Sequence, residues 1–182
     1  YMYPGATITV FEPSPEVLPI IKKNIADNKL THVTLKEYAI SDKDGEFSFF
    51  MRGIGSCGST LKEEVFDVND RDRDQKAQKL VRIQTKKLSG HITGPVDFLK
   101  LDIEGAEGEV FKDLQHHNKL SLIKSLALEY HHYPTNTSNK IEEIITILED
   151  AGFSHEIYLD EIFPKDYSLT YYCLLRAKRV AM

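Results

Sequence analysis

The stretch Val96-Asp97-Phe98-Leu99-Lys100-Leu101-Asp102-Ile103-Glu104-Gly105-Ala106-Glu107 decides how the fold of this chain is interpreted. Its first part has the short apolar character of a buried strand, which we expect to cover Val96–Ile103. Lys100 and Asp102 are two residues apart and therefore project from the same face of that strand. Buried charges are costly unless they are paired. The two side chains are therefore expected either to neutralise each other or to belong to a site.

A helix is predicted immediately after this strand, over Glu104–His117. Asp102 and Glu104 therefore fall where strand becomes helix, which is the edge at which α/β folds bind their ligands. Gly105 permits a ligand or another part of the chain to approach closely. The residues of this helix that are expected to face the core are Ala106, Val110, Phe111 and Leu114.

Short apolar or β-branched runs alternate with helical patterns along the rest of the chain, which predicts an α/β fold with a mainly parallel sheet. Two further helices are predicted, Pro15–Asp27 with Ser14 as its N-cap and Ser138–Ala151. The charge-dense stretch Lys62–Lys79 is expected to be a solvated loop. The predicted strands are Ala6–Phe11, Val33–Tyr38, Val96–Ile103, Ser125–Tyr130, Ser154–Leu159 and Leu169–Ala177, with an edge strand at Gly45–Met51.

Composition narrows the class of protein. A chain of 182 residues and 20.8 kDa, with 41% hydrophobic and 28% charged residues, is expected to form one globular domain over residues 1–182. No apolar run reaches the roughly 18 residues of a membrane helix, and a net charge of −5 argues against nucleic acid as a partner. Cys57 and Cys173 lack zinc-ligand or redox spacing. We therefore expect a reduced, cytoplasmic protein that binds no membrane.

Glu12 is a second candidate site residue, because it follows the predicted strand Ala6–Phe11 and precedes the predicted first helix. In nucleotide-binding α/β folds, a carboxylate at this place accepts hydrogen bonds from ribose hydroxyls. That acid normally lies about 20 residues after a glycine-rich turn, and counting back from Glu12 runs past the first residue of the sequence. The alternative is a surface acid near a helix N-terminus, where the helix dipole favours negative charge.

A third group of polar residues, Leu128-Glu129-Tyr130-His131-His132, ends the fourth predicted long strand. Three roles are open for it. His131 could act as a general base that takes the proton of an acceptor hydroxyl. Asp102, Glu104 and Glu129 could instead hold a divalent cation that lowers the pKa of that hydroxyl. In the third case, Glu129 caps a helix and the histidines are solvated.

A family resemblance joins these observations. Lys100-x-Asp102-x-Glu104-Gly105-Ala106-Glu107, with Phe11-Glu12-Pro13 upstream and Ala39-Ile40-Ser41-Asp42 between them, closely resembles the FkbM family of S-adenosylmethionine-dependent methyltransferases. The resemblance covers about Ile8 to Leu175. It implies a Rossmann-like class I methyltransferase fold whose C-terminal strand is antiparallel. It also implies O-methylation of a hydroxyl on a sugar or natural-product-like small molecule, so a small-molecule or glycan acceptor is expected.

The resemblance also implies residues for the cofactor, S-adenosylmethionine. Glu12 would bind its ribose, and Ala39, Ile40 and Ser41 would pass the adenine edge. Asp102 would lie at the reaction centre or, alternatively, hold the amino group of the cofactor.

The same resemblance suggests catalytic candidates. Asp102 and Glu104 are the first candidates for the reaction centre, and His131 and Glu129 are the second. No resident metal is expected.

The chain departs from the family at its start. A complete member begins with a strand and an Asp-x-Gly-x-x-x-Gly type loop, and nothing of that kind precedes Ala6–Phe11. We therefore expect an N-terminally incomplete domain, whose missing strand would lie between Ala6–Phe11 and Val96–Ile103. One alternative is a catalytically silent fragment or interaction domain. Another is an NAD-dependent oxidoreductase, since Glu12 would suit an NAD ribose equally well.

Overall fold

The computed structural model describes residues 5–51, 59–61, 79–133, 136, 138–159 and 171–180. Most of the predicted loop Lys62–Lys79 lies outside these residues. The three α-helices of the described chain are α1 Leu18–Asp27, α2 Glu107–His116 and α3 Ile141–Asp150. Its strands are β1 Ile8–Phe11, β2 Val33–Lys36, β3 Ala39–Ser41, β4 Gly45–Met51, β5 Lys79–Lys87, β6 Leu99–Leu101, β7 Ser125–His132, β8 Phe153–Leu159 and β9 Tyr171–Arg179.

The strands form three sheets, with the orders β1-β2, β3-β5-β4 and β6-β7-β9-β8. Within these sheets β4 runs antiparallel to β5, and β9 runs antiparallel to both β7 and β8, while β1–β2, β3–β5 and β6–β7 are parallel pairs. The predicted α/β fold with an antiparallel C-terminal strand is therefore confirmed. Among the described residues no ladder joins β1 to β6.

The main core lies between the four-stranded sheet and helices α2 and α3. Val110, Phe111 and Leu114 of α2 are fully buried and belong to one hydrophobic cluster with Leu128 of β7 and Ile144 of α3. The inward face predicted for the second helix is therefore confirmed. None of the helices in the described part of the chain is long and apolar enough to cross a membrane.

All three helices begin three residues later than predicted, each for a backbone reason. Helix α3 begins at Ile141 instead of Ser138, because the preceding Lys140 has an extended backbone. Helix α1 begins at Leu18 instead of Pro15, because residues 15–17 form a turn in which the carbonyl of Ser14 accepts hydrogen bonds from the N–H groups of Val17 and Leu18. The N-cap residue of α1 is Val17, so the prediction of Ser14 as the N-cap is wrong. Helix α2 begins at Glu107 because the residues before it adopt conformations outside the right-handed helical region.

Two strand predictions also need correction. Val33–Tyr38 was expected to be one strand, but β2 ends at Lys36 and the chain then enters β3 in a different sheet. Strand β5 was not predicted at all, and it lies at the centre of the three-stranded sheet. The edge-strand prediction for Gly45–Met51 is confirmed, since β4 is the last strand of that sheet.

Candidate active site

The turn after β6 carries the first two predicted site residues. Lys100 donates from Nζ to Oδ2 of Asp102 at 2.9 Å, and their side chains are 57% and 38% exposed. The mutual pairing of these charges is confirmed. The expectation that they would be buried is wrong, because this face of β6 is open to solvent.

Glu104 is held in an unusual backbone conformation. Its φ of 52° lies in the left-handed region, which is costly for a residue with a side chain, and Gly105 follows with a φ of 100°. Hydrogen bonds to the backbone and to the side chain of Glu104 hold this turn in place. Its carbonyl accepts a hydrogen bond from Oγ1 of the buried Thr60 at 2.7 Å. Its carboxylate Oε2 accepts one from the hydroxyl of Tyr133 at 2.9 Å.

His131, near the end of β7, is the centre of the group. The residue is 7% exposed, and its ring stacks on Tyr133 with 6.2 Å between centroids. Nδ1 lies 3.0 Å from Oε1 of Glu107. Nε2 faces the other way, 3.5 Å from Oε2 of Glu104 and 3.9 Å from Oε1 of Glu129. The structure thus brings the predicted residues Glu104, Glu129 and His131 together.

The charge of His131 follows from these neighbours. Burial by itself would lower the pKa of this imidazole, because it penalises the charged form. The hydrogen bond to Glu107 and the negative charges of Glu104, Glu107 and Asp102 outweigh burial and raise the pKa to about 9. The ring is therefore mainly protonated at neutral pH, and its capacity to accept a proton grows as the pH approaches 9.

Behind His131, the side chain of Glu107 is completely buried, with 0% exposure. Its Oε1 accepts hydrogen bonds from the backbone N–H of Gly105 at 3.1 Å and from His131. Its Oε2 accepts one from Nδ2 of Asn139 at 2.7 Å. A buried carboxylate is tolerated only when its lone pairs are satisfied in this way. Glu107 therefore links the turn after β6, the end of β7 and the segment before α3.

Glu12 directly follows β1, as predicted. Its N–H continues the ladder by donating to the carbonyl of Lys36, and its Oε1 accepts from the N–H of Ser14 at 2.7 Å. The residue is half-buried. Burial raises the pKa of its carboxyl group, and the bond from Ser14 opposes that increase. The carboxylate thus lies at the carboxyl end of a parallel strand, where ligands of such sheets bind.

The residues predicted along the adenine edge form strand β3. Ala39 and Ile40 are both buried, and they pack into two different hydrophobic clusters. Ser41 is also buried, and its hydroxyl donates to Oδ1 of Asp42 at 3.2 Å. A contact between this strand and a base would therefore involve its backbone or its Ser41 end, and the adenine role stays a prediction.

Comparison with known proteins identifies the family. Residues 2–154 match the Methyltransferase FkbM domain. The chain belongs to the FkbM methyltransferase family. "Methyltransferase 1" of Beauveria bassiana strain ARSEF 2860 is 25% identical over 190 residues, which cover 97% of this chain and 73% of that protein. The crystal structure of the methyltransferase FkbM from Methylobacillus flagellatus KT matches 93% of this chain with a TM-score of 0.55 and 15% identity. This chain spans 36% of that structure, and the likeness shows a shared fold.

Three groups of this FkbM domain could serve as metal ligands. One donor atom each from Asp102, Glu104 and His131 lies within 4.8 Å of the others. The sequence had suggested Glu129 as the third ligand of such a set. A divalent cation would compete with the proton on His131, because a metal-bound imidazole must be deprotonated.

Sequence reasoning missed several residues that shape the site. Glu107 has no predicted role, although it precedes Val110, Phe111 and Leu114 by three, four and seven residues. That spacing places a carboxylate on the inward face of a helix and was a readable signal. Tyr133 continues the two-residue period of Glu129 and His131. Asn136 also shapes the site, because its Nδ2 donates to the carbonyl of Gly105 at 2.7 Å. The sequence does not distinguish Asn136, Asn139 or Thr60 from ordinary loop residues.

Proposed function

We propose that this FkbM domain is an S-adenosylmethionine-dependent O-methyltransferase that acts on a hydroxyl of a sugar or natural-product-like small molecule. The observation that carries the proposal is the set of polar groups at the carboxyl ends of β1, β6 and β7. Each of these strands belongs to a parallel pair, and the polar residues at their carboxyl ends are Glu12, Glu104 and His131. Family membership supports methyl transfer as the type of reaction.

The chemistry of Glu12 fits the ribose of the cofactor. One carboxylate oxygen is occupied by the N–H of Ser14, and the other has no hydrogen-bond partner among the residues that the structure describes. Two ribose hydroxyls would donate to that half-buried carboxylate and offset the cost of its burial. Asp102 is the candidate for the amino group of the cofactor, because its carboxylate already binds an ammonium group, that of Lys100.

When bound, S-adenosylmethionine supplies an electrophilic methyl group, whose bond to sulfur breaks as its bond to the acceptor oxygen forms. The residues of this chain handle the proton of the acceptor. In its neutral form, Nε2 of His131 accepts the hydroxyl proton, and the ring becomes an imidazolium. The carboxylates of Glu104 and Glu129, 3.5 and 3.9 Å from Nε2, orient the hydroxyl by accepting hydrogen bonds.

The charges around His131 support a neutral, polyhydroxylated acceptor. The side chain of Glu104 is 17% exposed, whereas those of Glu129 and Asp102 are more open to solvent, at 37% and 38%. Carboxylates accept several hydrogen bonds each from hydroxyl groups. They repel carboxylate and phosphate groups, so anionic acceptors are disfavoured.

A labelled-methyl screen tests the proposal. The chain is incubated with S-adenosylmethionine that carries a tritiated methyl group and with a panel of neutral glycosides, polyols and phenolic compounds, alongside their carboxylated or phosphorylated analogues. We expect an ether-linked label on a neutral hydroxyl compound, with loss of transfer in Glu12→Ala and retention in the matched control Glu16→Ala. Label on nitrogen or carbon would contradict O-methylation. Binding of S-adenosylhomocysteine without any transfer would favour the silent interaction domain.

A further inference from the structure

We propose that Glu107 is a positioning residue that fixes the proton of neutral His131 on Nδ1 and thereby keeps Nε2 available as the proton acceptor. The role of Nε2 in the reaction rests on the proposed function, whereas the position of the proton does not.

The hydrogen bonds of Glu107 determine which ring nitrogen carries the proton. Its two oxygens accept from Gly105 N–H at 3.1 Å, from His131 Nδ1 at 3.0 Å and from Asn139 Nδ2 at 2.7 Å. An ionised carboxylate has no hydrogen to donate. The bond to His131 therefore requires a proton on Nδ1, whether the ring is neutral or charged. In the neutral ring Nε2 then carries a lone pair that points toward Glu104 and Glu129.

Asn139, which donates to Glu107, is itself held in one orientation. Oδ1 of Asn139 accepts the N–H of Gly108 at 2.8 Å, which orients the amide so that Nδ2 must point at Glu107. The same Nδ2 donates to the backbone carbonyl of His131 at 2.9 Å, so Asn139 joins the carboxylate of Glu107 to the backbone of His131. All three side chains are buried. A network with every member satisfied holds one geometry.

This geometry has a direct consequence for the proton step. The acceptor O–H bond breaks, and its proton forms a bond to the lone pair on Nε2. The ring thereby gains a positive charge, which the carboxylate of Glu107 stabilises from the Nδ1 side at 3.0 Å. After the methylated product leaves, the imidazolium returns its proton to solvent. If the proton of the neutral ring were on Nε2, this step would be blocked.

Nuclear magnetic resonance of the full chain without cofactor or acceptor tests the inference. Long-range proton–nitrogen correlations distinguish the two tautomers of a neutral imidazole, and the signals that disappear in His131→Asn assign the ring. At a pH well above 9, where most of the ring is neutral, we expect the proton of wild-type His131 on Nδ1. Glu107→Gln keeps one oxygen that accepts from Nδ1, at the expense of the bond from Asn139, and should retain this tautomer. Glu107→Met has no acceptor and should shift the proton mainly to Nε2, as in free histidine.

Kinetics with the acceptor found by the labelled-methyl screen provides a second measurement. We expect Glu107→Met to lower kcat about 100-fold or more, with the KM for S-adenosylmethionine changed less than about twofold, and Glu107→Gln to restore part of kcat. A wild-type ring with its proton on Nε2 would overturn the inference, even if Glu107→Met fails to fold. Equal kcat values for the Met and wild-type chains would overturn it as well. Absence of any methyl transfer with an Nδ1 proton would contradict the proposed function and leave the positioning by Glu107 supported.

Discussion

Nδ1 of His131 and Oε1 of Glu107 lie 3.0 Å apart, although the two residues are 24 positions apart in the sequence. The contact joins the penultimate residue of β7 to the first residue of α2. Because Glu107 is fully buried and His131 nearly so, neither charge is well solvated, and each compensates the other. This pair determines how the site responds to pH and to substitution.

The first prediction concerns stability as a function of pH. The pKa of His131 is raised from 6.5 to about 9 in the folded chain. The folded state therefore binds the proton more tightly than the unfolded state. The resulting stabilisation is fully present below pH 6.5 and is lost as the pH rises through about 9, with a size of the order of 3 kcal/mol. Urea unfolding from pH 6 to pH 10 measures this decrease. In His131→Asn it should largely vanish, and an equally steep decrease in that variant would contradict the assignment.

The second prediction concerns the hydroxyl of Tyr133. Tyr133→Phe removes the donor to Oε2 of the half-buried Glu104, so we expect a loss of about 1 to 2 kcal/mol in the free energy of unfolding. Tyr158→Phe is the matched control, because the hydroxyl of Tyr158 donates to Glu156 at an exposed position. Its removal should change stability by less than about 0.5 kcal/mol. Equal losses in the two variants, measured by urea unfolding, would argue against a special role for the buried bond.

The third prediction tests how closely α2 approaches the segment before α3. A Cβ at Gly108 would lie 3.0 Å from Oδ1 of Asn139 and 3.1 Å from the carbonyl oxygen of Ser138. Gly108→Ala should therefore destabilise the chain by about 1 to 3 kcal/mol. At Gly94 an added Cβ meets nothing within 4 Å, so Gly94→Ala serves as the control and should change stability by less than about 1 kcal/mol. Thermal unfolding of both variants provides the comparison, and an unchanged Gly108→Ala chain would mean that the two segments separate easily.

The fourth prediction concerns metals. Asp102, Glu104 and His131 could bind a divalent cation only after the ring loses its proton. Since the pKa of His131 is about 9, we expect no micromolar binding of Mn²⁺ at pH 7 and no effect of EDTA on the binding of S-adenosylhomocysteine. Calorimetric titration with Mn²⁺ measures the affinity. Micromolar binding at pH 7 that disappears in Asp102→Asn would show a metal site instead.

Much of the fold could be predicted from apolar spacing alone. The inward face of α2 follows from the pattern of side chains that the core buries. The antiparallel direction of β9 was expected from the family resemblance and not from the side-chain pattern. Strand β5 does carry the period of two typical of a half-buried strand, because Val81, Ile83 and Thr85 alternate with polar side chains. The charge-dense stretch directly before it obscures that pattern. The separation of β2 from β3 depends on which sheet each strand joins, and local sequence carries no such information.

The part of the candidate site that lies near the carboxyl ends of strands could be predicted from the sequence. Glu12, Glu104, Glu129 and His131 lie near the carboxyl ends of their strands, as expected from parallel topology. The partners of His131 could not be derived so directly. The spacing of Glu107 predicts a buried carboxylate on a helix, but it does not predict which residue that carboxylate contacts. The left-handed turn at Glu104 is likewise a tertiary effect, fixed by contacts to residues distant in the sequence.

The central claim, a cofactor site with Glu12 as its ribose ligand, is tested most directly by calorimetric titration with S-adenosylhomocysteine. Glu12→Gln removes the charge with little change of shape, and Glu16→Gln, four residues further on, is the matched control. We predict micromolar binding to the wild-type chain and to the control, and a loss of at least about tenfold in affinity for Glu12→Gln, as expected for a lost charge-assisted hydrogen bond. Equal affinity in all three chains, or no binding by a folded wild-type chain, would contradict the account.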